Sequence, residues 1–171
     1  MAVNTYEISF GPKAKSMDVS EYSKSVIKEI MKASRIYRVI VTSTARDAFD
    51  QARVMYDNLE QFGTRHQKNL YGPAGDEIID VYIEAKKNGH DRNEIITLMK
   101  ARIIAIGPTK VSRHAADVSK LNVFDISPST IPPEKKSKWE KEIKDSQHVS
   151  KYIFPPKDPG YHFEIIQPLT G

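Results

Sequence analysis

In Gly160-Tyr161-His162-Phe163-Glu164-Ile165, side chains of opposite character alternate along a β-prone run. That period of two predicts a strand, placed here over Tyr161–Ile166. Tyr161 and Phe163 then point to one face, and His162 and Glu164 share the other. Such a strand presents an imidazole and a carboxylate side by side. Two upstream segments repeat the theme. Val111-Ser112-Arg113-His114 and Asn122-Val123-Phe124-Asp125-Ile126-Ser127 each set a metal-competent side chain inside an apolar, β-prone run. Aspartate is rarely buried without a partner. A carboxylate among Val, Phe and Ile therefore asks for one, and a metal ion would serve. His114, Asp125 and His162 make three protein ligands, the number a catalytic Zn2+ site uses while keeping a fourth position for water.

Working outward, the 171 residues suit one domain, 1–171, large enough to bury a core. Cysteine is absent, which excludes disulfides, thiolate nucleophiles and cysteine-based metal sites. Any metal must be held by histidines and carboxylates. The formal charge of +4 is a modest excess, spread along the chain. Its densest patch, Lys135-Lys136-Ser137-Lys138, is interleaved with Glu134, Glu140 and Glu142 and reads as a solvated helix face. No nucleic-acid motif accompanies it, so no nucleic-acid partner is expected. No apolar run is long enough to span a bilayer, so no membrane partner is expected either. Met1 to Phe10 lacks the basic and apolar regions of a secretory signal. Synthesis in the cytoplasm is expected, with any release to the cell wall by a separate route.

The rest of the chain reads as helices first and β-hairpins later, an α+β pattern in which helices pack on a small antiparallel sheet that carries the metal site. Asp18 or Ser20 can cap a helix running to about Ser34, and Arg35 to Ser43 reads as a strand. Thr44 to Asp47 is a turn, Ala48 to Phe62 a helix, and Gly63 its stop. Thr64 to Gly75 reads as a loop. Asp76 to Lys87 is helical. Asp91 or Asn93 caps a further helix to Ile106, apolar over so much of its surface that burial is expected. Thr109 to Ser127 holds short β-prone runs interrupted by Ala115 to Lys120. Glu134 to Gln147 is a charged helix bearing Trp139, Tyr152 to Phe154 is a short apolar run, and Pro155 to Gly160 is a turn.

As a set, these segments resemble the D-Ala-D-Ala carboxypeptidase and L-alanyl-D-glutamate endopeptidase family of zinc peptidases, which includes phage endolysins and the VanX- and VanY-like enzymes. That family has a Ser-x-His segment, then an Asp in an apolar strand, then a Glu-Pro-Trp-His-Phe-like segment near the C-terminus. The counterparts are Ser112-Arg113-His114, Val123-Phe124-Asp125-Ile126 and Asp158-Pro159-Gly160-Tyr161-His162-Phe163-Glu164. The family also carries a strand ending in a Ser-x-x-Arg turn, with a Gln opening the next helix. Val39 to Thr42, Ser43-Thr44-Ala45-Arg46 and Gln51 match it.

The resemblance implies a zinc metallopeptidase acting on the stem peptide or cross-link of peptidoglycan, as an endolysin or dipeptidase would. It implies His114, Asp125 and His162 as ligands and Arg46 as a partner for the developing oxyanion. Two departures follow. The family's usual His-to-Asp spacing falls between Asp117 and Asp125. Asp125 is preferred because Val123, Phe124 and Ile126 supply the strand, which leaves Asp117 as a turn residue. The family's catalytic carboxylate position holds Pro159, so Asp158 is expected as the base, with Glu164 the alternative and otherwise a supporting residue. Ser112 is expected to hydrogen-bond near the site. His66, His90 and His148 read as surface residues. Without a working base, the chain would be a catalytically weak metal-binding module with a structural or recognition role.

Overall fold

In the computed structural model, which describes residues 5–169, the Ser20 hydroxyl accepts from Ser23 N and starts the first long helix. In chain order the elements are β1 (Glu7–Phe10), α1 (Glu21–Ser34), β2 (Arg38–Ser43), α2 (Ala48–Phe62), α3 (Thr64–Lys68), α4 (Pro73–Lys87), α5 (Arg92–Ile106) and α6 (Pro108–Val111). β3 (Leu121–Ile126), α7 (Lys136–Asp145), β4 (Lys151–Ile153) and β5 (Tyr161–Ile166) complete the set. The fold is α+β, as the pattern of periods predicts. Among the described residues, no helix is long and apolar enough to cross a membrane. Residues 1–4 of the N-terminal stretch read above lie outside the described residues.

The chain divides into two compact units. One comprises the residues up to Ala45 and from Ala116 onward. It is built on a five-stranded sheet ordered β1-β2-β3-β5-β4. The sheet is antiparallel except at its edge, where β1 pairs with β2 in parallel. β1 escaped the sequence reading. A four-residue edge strand of mixed polarity gives too short a run for its period to register.

Alternation sorts the strands into two faces. Phe124 and Ile126 of β3 and Tyr161, Phe163 and Ile165 of β5 join Val39 and Val41 in the core. Val26, Ile27, Ile30 and Met31 of α1 and Trp139 and Ile143 of α7 pack with them. Phe124 and Phe163 are directly opposite in register, and their rings stack at 5.3 Å. Trp139 meets Tyr161 and Phe163 edge-on, so Trp139 and Tyr161 are packing residues, both fully buried. Each buried aromatic of this kind stabilises the unit by about 2–3 kcal/mol from area alone. The other face of β3 and β5 carries Asp125, His162 and Glu164.

The second unit runs from Arg46 to Ala115 and is helical, with its own core of Ala52, Met55 and Leu59 (α2), Ile78, Ile79 and Tyr82 (α4), and Ile95, Ile96, Met99 and Ile103 (α5). Asp91 caps α5 through a full capping box with Glu94. α5 buries only one face. Leu98 and Ile104 stay 43% and 57% exposed, because α2 and α4 cover a single side of it.

Two other expectations are corrected. Thr64–Gly75 is not simply a loop. It holds α3, and α4 begins at Pro73. A proline at the first helical position lacks only an N–H that would be unpaired anyway, so it starts this helix rather than breaking it. Val111 to His114 is not extended either. Gly107, at φ 109°, ends α5, and Pro108 opens the short α6. A 3-10 turn over Arg113–Ala115 then carries His114.

Candidate metal centre

Asp125 and His162 are register partners across the β3–β5 ladder. The same row continues to Ser43 on β2 and Ile153 on β4. Pairing residues directly opposite brings their side chains together on one face. Asp125 Oδ1 lies 2.9 Å from His162 Nδ1. Two residues along β5, Glu164 Oε1 lies 3.1 Å from His162 Nε2. His162 and Glu164 share a face, as the alternation predicts, and both are buried. Lys151, the register partner of Glu164 on β4, holds its Nζ 3.9 Å from that carboxylate.

His114 sits on a different kind of backbone, a 3-10 turn of the second unit. Ser112 Oγ accepts from His114 N at 3.3 Å, pinning the 3-10 turn, as expected of a serine that hydrogen-bonds near the site. The His114 carbonyl accepts from Arg46 N at 2.8 Å, which ties the backbone of the turn arginine to that of the histidine. His114, Asp125 and His162 bring one ligand atom each to within 4.8 Å of one another. The three can hold a metal ion.

The donor set fits one. Two histidines and a carboxylate suit zinc and also other divalent ions. The electrostatics point the same way. His162 is flanked by two carboxylates, and a neutral imidazole has only one N–H to offer them. Burial, the largest single influence, depresses the His162 pKa. Asp125, Glu164 and Asp158 together outweigh it and raise the value above the usual imidazole range. An ion held by Asp125 and His162 would supply positive charge in place of that extra proton, leaving one N–H for a carboxylate. A carboxylate that fixes the tautomer of a ligating histidine is a common support for metal sites.

A pH dependence follows. In chelated protein the raised His162 pKa contributes stability that is fully present below the unfolded value, about 6.5, and is lost as pH rises through the folded value. Metal must displace the same proton. Apparent metal affinity is therefore expected to climb with pH until His162 has titrated and to level off above that point. Calorimetric titration with Zn2+ across pH 5.5–8.5, about one and a half units on either side of neutrality, reads both the affinity and the protons released. Affinity that does not change over this range would contradict it.

The remaining expected residues lie as follows. Asp158 sits in the Pro155–Gly160 turn, partly buried, its Oδ1 accepting from Gly160 N at 3.1 Å. Its charge acts on His162. Gly160 packs the end of this turn against β3, and a Cβ there would lie 3.5 Å from Asp125 Cβ. Arg46 precedes α2, and its Nη1 lies 3.5 Å from Gln51 Oε1. Asp117 is a turn residue, as expected. It is exposed, accepts from Ser119 N and Oγ, and does not belong to the ligand group. His66, His90 and His148 are exposed.

Sequence reasoning missed Lys151. It faces Glu164 only through β4–β5 register, and its position carries no local signal. No protein-family model matches the chain, and no curated protein or solved structure matches it.

Proposed function

We propose that the chain is a zinc-dependent peptidase that hydrolyses a peptide bond in the stem peptide or cross-link of peptidoglycan. The observation that carries this reading is the convergence of His114, Asp125 and His162 on one point, with a further carboxylate, Asp158, acting on the same imidazole. Support comes also from the resemblance of three ordered segments to the zinc peptidase family. His114, Asp125 and His162 would hold the zinc, which would supply Lewis acidity. Asp158 accepts a proton from the attacking water and returns it to the leaving amine. Arg46 balances the negative charge that grows on the carbonyl oxygen, a task suited to a guanidinium that stays protonated. Glu164 holds His162 in one tautomer. Asp125 and His114 complete the ligand set.

Arg46→Ala is expected to lower turnover by about 10²–10³-fold, the usual cost of one lost oxyanion donor, while metal content stays intact. Steady-state rates on a confirmed substrate together with elemental analysis of the variant check this. Unchanged turnover removes Arg46 from the mechanism.

A second reading is favoured by one observation. Pro159 occupies the family's catalytic carboxylate position, and the Asp158 side chain is already engaged by Gly160 N. If Asp158 stays locked there, the chain is a metal-binding module with a structural or recognition role. Elemental analysis of the purified protein and mass spectrometry of digested peptidoglycan separate the two. Zinc with newly cut stem peptides supports the peptidase. Zinc with intact peptidoglycan supports the module. Protein that takes up no divalent metal defeats both.

A further inference from the structure

Lys151 stands beside the buried polar row of the sheet, and the metal centre gives it no task. β4 is an edge strand, and its register sets Lys151 opposite Glu164 and Ile153 opposite His162. Residues two apart on a strand share a face. Lys151 and Ile153 therefore lie on the face that carries Asp125, His162 and Glu164. The Glu164 side chain is 2% exposed and that of Lys151 is 51% exposed, so the ammonium stands where the buried row opens to solvent. Its Nζ lies 3.9 Å from Glu164 Oε1, beyond the roughly 2.7–3.2 Å of a hydrogen bond. Among the described residues the ammonium makes no other ion pair and no hydrogen bond. An ion pair this long, with one partner this exposed, contributes little to stability. Glu164 alone does not account for Lys151, and its three N–H donors are open to a ligand.

We propose that Lys151 is a specificity residue that binds a free carboxylate of the peptide substrate beside the scissile bond. Two contacts, of 3.1 and 3.9 Å, link His162 Nε2 to the ammonium through Glu164. A residue or two of a peptide spans that distance, since consecutive Cα atoms are about 3.8 Å apart. Asp125 and Glu164 make this face acidic and disfavour an anionic peptide, and Lys151 reverses that at one spot. A carboxylate there takes charge-assisted hydrogen bonds from an ammonium whose backbone the strand holds in place. In a stem peptide the C-terminal D-alanine and the D-glutamyl residue each carry such a carboxylate. The proposal rests on the peptidase reading for which bond is then cut. It does not rest on that reading for which peptides bind.

The test uses the full chain with zinc and a soluble stem pentapeptide ending in D-alanyl-D-alanine. Two amidated forms are compared with it, one blocked at the C-terminal carboxylate and one at the D-glutamyl carboxylate. One of them is expected to lose about tenfold in kcat/KM, the order expected of a lost charged hydrogen bond, and which one it is identifies the carboxylate. In Lys151→Met the ratio of acid to amide falls to about one while bound zinc stays at the parent level. Lys151→Arg keeps most of the ratio, because charge and donors persist. A ratio in Lys151→Met equal to that of the parent overturns the proposal. So does loss of zinc from Lys151→Met, which makes Lys151 a support for Glu164 alone.

A second readout needs no turnover. Calorimetric binding of the same peptides to zinc-loaded Asp158→Asn is expected to show the acid about tenfold tighter than that amide, with the difference gone once Lys151→Met is added. If the parent protein cuts none of the peptides, it is the peptidase reading that fails, and the binding difference still decides on Lys151. Peptides that bind alike as acid and as amide, or that do not bind at all, overturn the proposal.

Discussion

His162→Ala is expected to abolish metal binding and to cost about 3 kcal/mol of stability in chelated protein, the low end for breaking a buried charged pair. The physical reason is the company His162 keeps. Asp125 and Glu164 contact its two nitrogens at 2.9 and 3.1 Å, and Glu164 is only 2% exposed. Removing the imidazole takes one close contact from each carboxylate, while Lys151 Nζ stays 3.9 Å from Glu164. The carboxylates take up protons at low pH and the imidazole loses its charge at high pH, so the loss should be largest between about pH 5 and the raised His162 pKa and smaller on either side. Urea melts of the chelated variant at several pH values, beside elemental analysis, check both halves. A variant that keeps stoichiometric zinc would remove His162 from the ligand set. One that loses zinc without losing stability would show that the carboxylates were never dependent on it.

Asp158→Asn is the second large effect. It should keep fold and zinc and lose hydrolysis by about 10²–10⁴-fold, the usual contribution of a positioned general base. Asparagine preserves the shape of the side chain and its carbonyl oxygen, so the bond from Gly160 N survives. Only the ability to take a proton is lost. Glu164→Gln should behave in the opposite way. It disturbs His162 and hence metal affinity, by about 10–100-fold for a supporting carboxylate, more than it disturbs the chemical step. Rates at saturating zinc separate the pair. A fully active Asp158→Asn beside a dead Glu164→Gln would reverse the two roles.

Much of the first unit was legible along the chain because its strands obey a period of two. Tyr161, Phe163 and Ile165 on one face and His162 and Glu164 on the other follow from the sequence of β5 alone. So does the choice of Asp125 over Asp117. A carboxylate between Phe124 and Ile126 belongs to a strand, whereas Asp117 beside Ser119 makes its own local turn. The helix end at Gly63 was equally readable, and two helix starts were narrowed to Asp18 or Ser20 and to Asp91 or Asn93, of which Ser20 and Asp91 are the caps. The Val111–His114 segment was misread because Val, Ser and His carry weak preferences. Pro108, at the start of α6, outweighed them.

What the sequence determined by itself is the inventory: a chain without cysteine, with two histidines and an aspartate set into ordered segments, and with helices and strands of the right kinds. Local chemistry suffices for that, since capping and periodicity involve residues within a few positions of one another. The site needed tertiary structure. The 2.9 Å contact of Asp125 with His162 exists because β3 and β5 pair in one register. A slip of one residue would put the two on opposite faces. Likewise, nothing near Lys151 announces Glu164. That contact depends on strand order, which is set by burial summed over the whole core and leaves no mark on the few residues that meet.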